Sequence, residues 1–331
     1  MRKLINTADT IVDDMLAGYV AAHSDRVALT TNHRVLVRTE KKSAGKVSLI
    51  IGNGSGHEPI AMGWVGQGLL DGNVVGEIFA APSASMILEG IKAVDAGGGV
   101  VVLISSHSGD IINGEAAIED ALDLGIDARP LLMYDDISSA PKGREDERRG
   151  APGTTFVYKI LGGAAEEGQD IDSLLSLGER VRDGTRTLGV AVAPGISPLT
   201  GKPMFDLLEN QIFIGMGVHG EPGLGQRAMG PIQDIVDEMM GLILDDLPFK
   251  GGDNVIPFIN GSGGTTLMEL LIVYKEVSRC LTEKAISISK PLVAEMVTTQ
   301  EMAGFSISLL KSDEEMERLW LAPCSAPYFH L

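Results

Sequence analysis

Three histidines of this chain stand among small residues that would let a ligand reach them. The first ends the run Gly52-Asn53-Gly54-Ser55-Gly56-His57-Glu58-Pro59, and the second shares Ser105-Ser106-His107-Ser108-Gly109-Asp110 with an acid. The third lies inside Gly215-Met216-Gly217-Val218-His219-Gly220-Glu221-Pro222-Gly223. A neutral imidazole is a competent nucleophile toward a carbonyl carbon and a proton carrier near neutral pH, and a carboxylate can deprotonate a hydroxyl held against it. The combination suits chemistry on a small polar carbonyl compound or a polyol and names no substrate. For His57 and His219 a structural role stays open beside the chemical one. His107 and the surface-type His23, His33 and His330 read as structural. No two histidines have metal-ligand spacing of the H-x-x-x-H kind and no cysteine is near them, so no metal site is expected.

Glycine-rich loops also raise phosphate binding. The P-loop spacing is missing: Gly195 to Lys202 comes nearest, with one residue too many and Pro203 where a hydroxyl is required. Gly215 to Gly220 fits G-x-G-x-x-G formally, but Pro222 and Gly223 follow where a dinucleotide site needs a helix to begin. Gly261-Ser262-Gly263-Gly264-Thr265-Thr266 reads either as a backbone anion nest or as a tight turn before a helix. Arg148-Arg149 could face a phosphate, with a solvated loop over 139–155 as the plainer reading.

The elements that must position these loops follow a βαβ rhythm. Short β-branched runs, Val47 to Ile51, Val74 to Phe79, Val100 to Ile104 and Leu131 to Tyr134, alternate with helical patterns. Runs apolar at nearly every position fit strands covered by helices on both faces, hence largely parallel sheets. A second set follows a charged helix, Leu174 to Arg182: Leu188 to Val192, Ile212 to Val218, Val255 to Ile259, Leu292 to Val297 and Phe305 to Leu310. The sequence therefore predicts two α/β domains with mostly parallel, helix-covered sheets, divided as 1–185 and 186–331. In such sheets ligands bind beyond the carboxyl ends of strands, where the three histidine loops fall.

The 331 residues include 27 basic and 45 acidic side chains, a net charge of −18 spread along the chain. A phosphate-backbone partner needs clustered Lys and Arg, so nucleic acid is excluded. No apolar run approaches the ~18 residues of a membrane span and no signal-peptide core is visible, which points to the cytoplasm and away from a membrane. Cys280 and Cys324 lie far apart without a Cys-x-x-Cys pattern and read as buried reduced thiols.

At these residues the chain resembles the substrate-binding subunit of phosphotransferase-dependent dihydroxyacetone kinases. Gly54 to Pro59, Gly109-Asp110 and Gly217 to Gly223 match that family's three signature loops in order. Lys3 to Asn6, Gly76 to Phe79, Arg149-Gly150 and Ala303 to Ser306 also fit, so the likeness covers essentially the whole chain. It implies a transferase acting on an alcohol group, in which His219 holds a ketose as a covalent hemiaminal and Asp110 takes the proton from the hydroxyl being phosphorylated. It further implies that His57 hydrogen-bonds substrate and assists proton movement, and that Gly54, Ser55, Gly56 and Ser105 bind substrate. Nucleotide (ADP or ATP) and Mg2+ are expected on a separate kinase subunit and no cofactor on this chain; a homodimer with its site at the junction of two domains is implied. The family has Lys-Asn-Tyr-Thr where Ser105, Ser106, His107 and Ser108 stand, Gly at Asn53, and an aromatic between Asn113 and Glu115. Loss of a cation and an aromatic enlarges that wall. It brings erythrulose or another short ketose into competition with dihydroxyacetone. Some relatives bind dihydroxyacetone as transcriptional coactivators; Asp110, which hemiaminal formation does not need, favours the enzyme.

Overall fold

The computed structural model describes residues 3–40 and 42–331. The chain forms two compact units, each assembled from separated stretches. Of the described residues, one contains 3–133 together with Thr155–Arg180 and Arg318–Leu331; the other contains Tyr134–Thr154 and Val181–Glu317. In place of one cut at 185, two segments are exchanged, and local bonds explain both. The Asp135 carboxylate accepts from the backbone N–H of Ala151 and Gly153 at 2.6 and 2.9 Å, and Thr187 N–H bonds Asp135 O, so 134–154 travels with the second unit. The last residues return to the first unit through aromatic packing, with Phe329 stacked on Trp64 at 4.4 Å and Trp320 edge-on to Phe156 at 5.3 Å.

In the first unit, helix α1 (Ile11–Ala22) precedes strands β1 (Val27–Leu29), β2 (Val35–Arg38), β3 (Ser48–Ser55) and β4 (Gly72–Ile78). Helix α2 (Ala84–Val94), β5 (Val100–Ser105), α3 (Ser108–Asp123) and β6 (Ala128–Met133) follow. The sheet order is β1-β2-β4-β3-β5-β6. The four strands from β4 to β6 run parallel: α2 returns the chain between β4 and β5, α3 between β5 and β6, and the segment 56–71 between β3 and β4, while the β1–β2 edge is antiparallel. Helix α2 starts where the Ser83 hydroxyl caps Met86 N–H, and its Ile87, Ile91 and Val94 recur on one face against Ile50, Val74 and Val102. Helices α4 (Thr154–Glu166) and α5 (Ile171–Asp183) follow.

The second unit has β7 (Thr185–Ala193), β8 (Gln211–Ile214), β9 (Gly225–Ala228), α6 (Ile232–Asp246), β10 (Asn254–Gly261), α7 (Leu267–Glu283), β11 (Ser287–Ile288), β12 (Leu292–Ala294), β13 (Ala303–Ser312) and α8 (Glu314–Trp320, crossing to the first unit). Its order is β11-β10-β13-β7-β8-β9, with β12 also on β10. The helix-flanked α/β architecture is as expected, but here strand direction departs from it. β10, β13, β7, β8 and β9 pair antiparallel, and only β11 and β12 run parallel to β10. β10 and β13 are buried at nearly every position, with Val255, Ile259, Phe305, Ile307 and Leu309 in one core with α6 and α7, and this continuous burial erases the alternation that distinguishes antiparallel strands.

Among the described residues no helix is long and apolar enough to cross a membrane. Both cysteines are buried and unbridged.

Candidate functional site

In the first unit, parallel pairing sets the carboxyl ends of β3 and β5 side by side, since Ile51 pairs with Leu103. β3 delivers Gly54 and Ser55; the Ser55 hydroxyl donates to Gly76 O, which ties that strand end to β4. Gly56 has φ +102, and a Cβ there would stand 2.5 Å from the Phe79 ring. The backbone at Gly56 is thus one that only glycine adopts readily, and Phe79 fills the vacated space. His57 follows, 7% exposed, its ring centroid 4.9 Å from that of Phe79. The Gly56 N–H donates to Glu58 Oε1 at 2.9 Å, closing the turn, and burial raises the Glu58 carboxyl above its usual range.

After β5, Ser105 Oγ is 3.3 Å from His107 Nδ1, and the same nitrogen is 3.8 Å from Asp110 Oδ2. His107 is the N-cap residue of α3, and Asp110 stands in its first turn, where an acidic side chain is favoured by the helix dipole. The turn between β4 and α2 touches both loops. A Cβ on Gly109 would reach Ala81 at 3.4 Å, and Asn113 Nδ2 donates to Pro82 O at 2.9 Å, while Phe79 serves the other loop. Phe79 itself holds φ 57, a strained value for a bulky residue that surrounding packing must enforce. Asn53, unusual for its place, is bound from both sides: Asn73 Nδ2 donates to its Oδ1 at 2.6 Å, and its own Nδ2 donates to Gly54 O. Gly56→Ala is expected to cost about 2 kcal/mol or more, from unfavourable φ and overpacking against Phe79, and a denaturant titration would show it. An unchanged midpoint would mean that the turn does not depend on this contact.

In the second unit β8 stops at Ile214, so the run expected to reach Val218 ends early and His219 lies in a loop before β9. Two backbone bonds shape this loop, Gly217 N–H to Glu221 O at 2.9 Å and Gly220 N–H to Gly217 O at 3.0 Å. Thr299 Oγ1 donates to Val218 O at 2.9 Å and ties the loop to the segment before β13. Glu221 Oε2 accepts the His219 backbone N–H at 2.8 Å, and Oε1 lies 3.1 Å from Nδ1. Burial pushes the Glu221 carboxyl up, but its bond and charge interaction with His219 prevail and hold it at about 2. A carboxylate ionised at neutral pH only accepts, so Nδ1 carries the proton and, in the neutral ring, the lone pair belongs to Nε2. That is the tautomer required for attack through Nε2.

The sequence-derived residues therefore fall into two sets. His57, Gly54, Ser55 and Gly56, with Ser105 and Asp110, cluster at adjacent strand ends of the first unit; His219 belongs to a loop of the second. Glu221 and Phe79 had no role in the sequence reading. Glu221 could have been found as a carboxylate two residues from a histidine; the position of Phe79 depends on a strand crossing that no spacing reveals. The anion-nest alternative loses ground, because Thr266 and Glu269 form a capping box across the start of α7 and Gly264 N–H bonds Met302 O. Arg148 is not solvated. It is 1% exposed and bidentate to Asp246 at 2.8 and 2.6 Å, and Arg149 engages Asp136.

Fold and loops define a helix-flanked α/β protein equipped for a small carbonyl compound. The Dak1 domain matches residues 17–328, and the chain belongs to that family. The dihydroxyacetone-binding subunit of PTS-dependent dihydroxyacetone kinase 2 from Listeria innocua is 38% identical over 99% of this chain and 99% of its own. The L-erythrulose kinase of Pectobacterium atrosepticum is 36% identical over 99% of this chain, which spans 56% of that protein. A solved dihydroxyacetone kinase operon co-activator superposes with a TM-score of 0.90 at 32% identity, covering 95% of this chain and 97% of that one.

Proposed function

We propose that this chain is the ketose-binding subunit of a kinase for short ketoses, dihydroxyacetone or a four-carbon analogue such as erythrulose. The observation that carries this reading is the His219–Glu221 pair, in which the carboxylate accepts from Nδ1–H, keeps the proton there and leaves the nucleophilic lone pair on Nε2. Nε2 forms a bond to the ketone carbon and the carbonyl electron pair moves to oxygen, which takes a proton delivered through His57. The positive charge left on the substituted ring faces the Glu221 carboxylate. A ketose so held is selected over polyols, which have no carbonyl to attack. Asp110 then accepts the proton of the terminal hydroxyl as the phosphoryl group arrives, with Gly54, Ser55, Gly56 and Ser105 contacting the sugar.

The phosphoryl donor in this reading, a nucleotide with Mg2+, is carried by a separate subunit. Support comes from the end-to-end match to a dihydroxyacetone-binding subunit, beside an erythrulose kinase of which this chain corresponds to 56%. The reading also places the protein in the cytoplasm as a homodimer. Purified chain with Mg-ATP and ketose should transfer no phosphate until a nucleotide-binding subunit is supplied. With that subunit present, kcat/KM for erythrulose should exceed that for dihydroxyacetone by roughly tenfold, about one polar contact to the added hydroxyl. Turnover by the isolated chain would refute the division of labour, and a preference for dihydroxyacetone would restore the three-carbon substrate. Ketose capture without transfer in any such mixture would favour the coactivator role of its structural neighbour.

A further inference from the structure

We propose that Arg149, held by Asp136, is a positioning residue that keeps the Glu221 carboxylate turned onto His219 and thereby fixes which ring nitrogen carries the lone pair. The consequence for catalysis rests on the ketose reading above; the placement of the proton does not. Arg149 Nε and Nη2 donate to Asp136 Oδ2 at 3.1 and 2.8 Å. Asp136 is itself fixed, its Oδ1 accepting from Ser138 N–H at 2.9 Å and Ser138 Oγ at 2.6 Å. The guanidinium therefore has little freedom, and its remaining nitrogen, Nη1, faces Glu221 Oε2 at 3.8 Å. That distance is a charge contact and not a hydrogen bond, so it orients the carboxylate without competing for the lone pairs that receive the two His219 donors.

A second observation marks the same spot. A Cβ on Gly217 would lie 2.3 Å from Glu221 Oε2 and 2.6 Å from Arg149 Nη1. The acid and the guanidinium meet in the space that a side chain at 217 would occupy, so glycine there is a condition of the pair. Glu221 is 32% exposed in its side chain and Arg149 15%. Without the guanidinium a carboxylate so exposed gains rotamers that point to water, and the imidazole loses the acceptor that fixes its tautomer.

The test uses the whole chain with 15N-labelled histidine, without ketose, and reads the ring nitrogens of His219 by NMR, assigned by the signals missing in His219→Ala. In the wild type, Nδ1 should be pyrrole-like and Nε2 pyridine-like. In Arg149→Gln and Gly217→Ala the two signals should converge as tautomers exchange, with ketose affinity falling about tenfold. Arg149→Lys, which keeps the charge, should restore most of both. If Arg149→Gln does not fold, Arg149→Met, which keeps the apolar stem and removes the charge, gives the answer; Gly217→Ala, whose Cβ would press on Glu221 Oε2 itself, reports on the carboxylate. Wild-type signals in Arg149→Gln would overturn the proposal, as would failure of the lysine variant to restore them. Because the tautomer is read without ketose, its failure is distinct from failure of the ketose reading, which would show as no adduct on the wild type.

Discussion

His219→Ala is expected to fold and to lose covalent capture of ketose at every concentration. The side chain is 27% exposed in a loop whose backbone bonds do not use the ring, so the change in stability should stay within about 1 kcal/mol. The chemistry has no substitute. The other histidine assigned to substrate, His57, is buried against Phe79 and its assigned role is hydrogen bonding and proton movement. With a [2-13C]ketose the wild type should convert the carbonyl carbon into a tetrahedral one, and the variant should not. Transfer in the presence of the nucleotide-binding subunit should fall by roughly a thousandfold or more, since an anchored hydroxyl is exchanged for a diffusing one. A tetrahedral carbon in His219→Ala would assign the nucleophile elsewhere.

Asp110→Asn should separate capture from turnover. Asparagine keeps the size and polarity of the side chain but cannot accept a proton at neutral pH. The adduct on His219 should therefore form as in the wild type, while phosphoryl transfer drops by about two to four powers of ten, the usual range for a positioned general base. The placement of Asp110 in the first turn of α3 supports the comparison, because the helix boundary is set by backbone and not by this carboxylate. Equal transfer rates in the two proteins, with chemistry shown to limit the rate, would remove Asp110 from the mechanism.

The parallel half of the first sheet was legible because its strands are short apolar runs separated by helical periodicity and turn residues. The edge hairpin of β1 and β2 was missed, its strands being only three and four residues long. In the second unit, double-sided burial made β10 and β13 look like parallel strands, and their true direction depends on pairings between distant segments. The loops of His57, Asp110 and His219 were legible since glycine and histidine concentrate there. What was not legible is how side chains far apart in sequence meet. Arg149 reads as part of a charged loop until Asp136 and Glu221 are seen around it, and the backbone at Phe79 is dictated by contacts with Gly56 and His57. The same limit applied to the domains: a single cut is the simplest reading of a composition, whereas Asp135 and the C-terminal aromatics decide where their segments pack.

The most direct measurement of the central claim is the one-bond coupling between a [2-13C]ketose and 15N-labelled histidine in the intact wild-type protein. The predicted result is a tetrahedral carbon coupled to Nε2 of His219, seen with dihydroxyacetone and erythrulose and absent with glycerol. A bound ketose whose carbonyl carbon stays intact, or a tetrahedral carbon coupled to any other nitrogen, would contradict it.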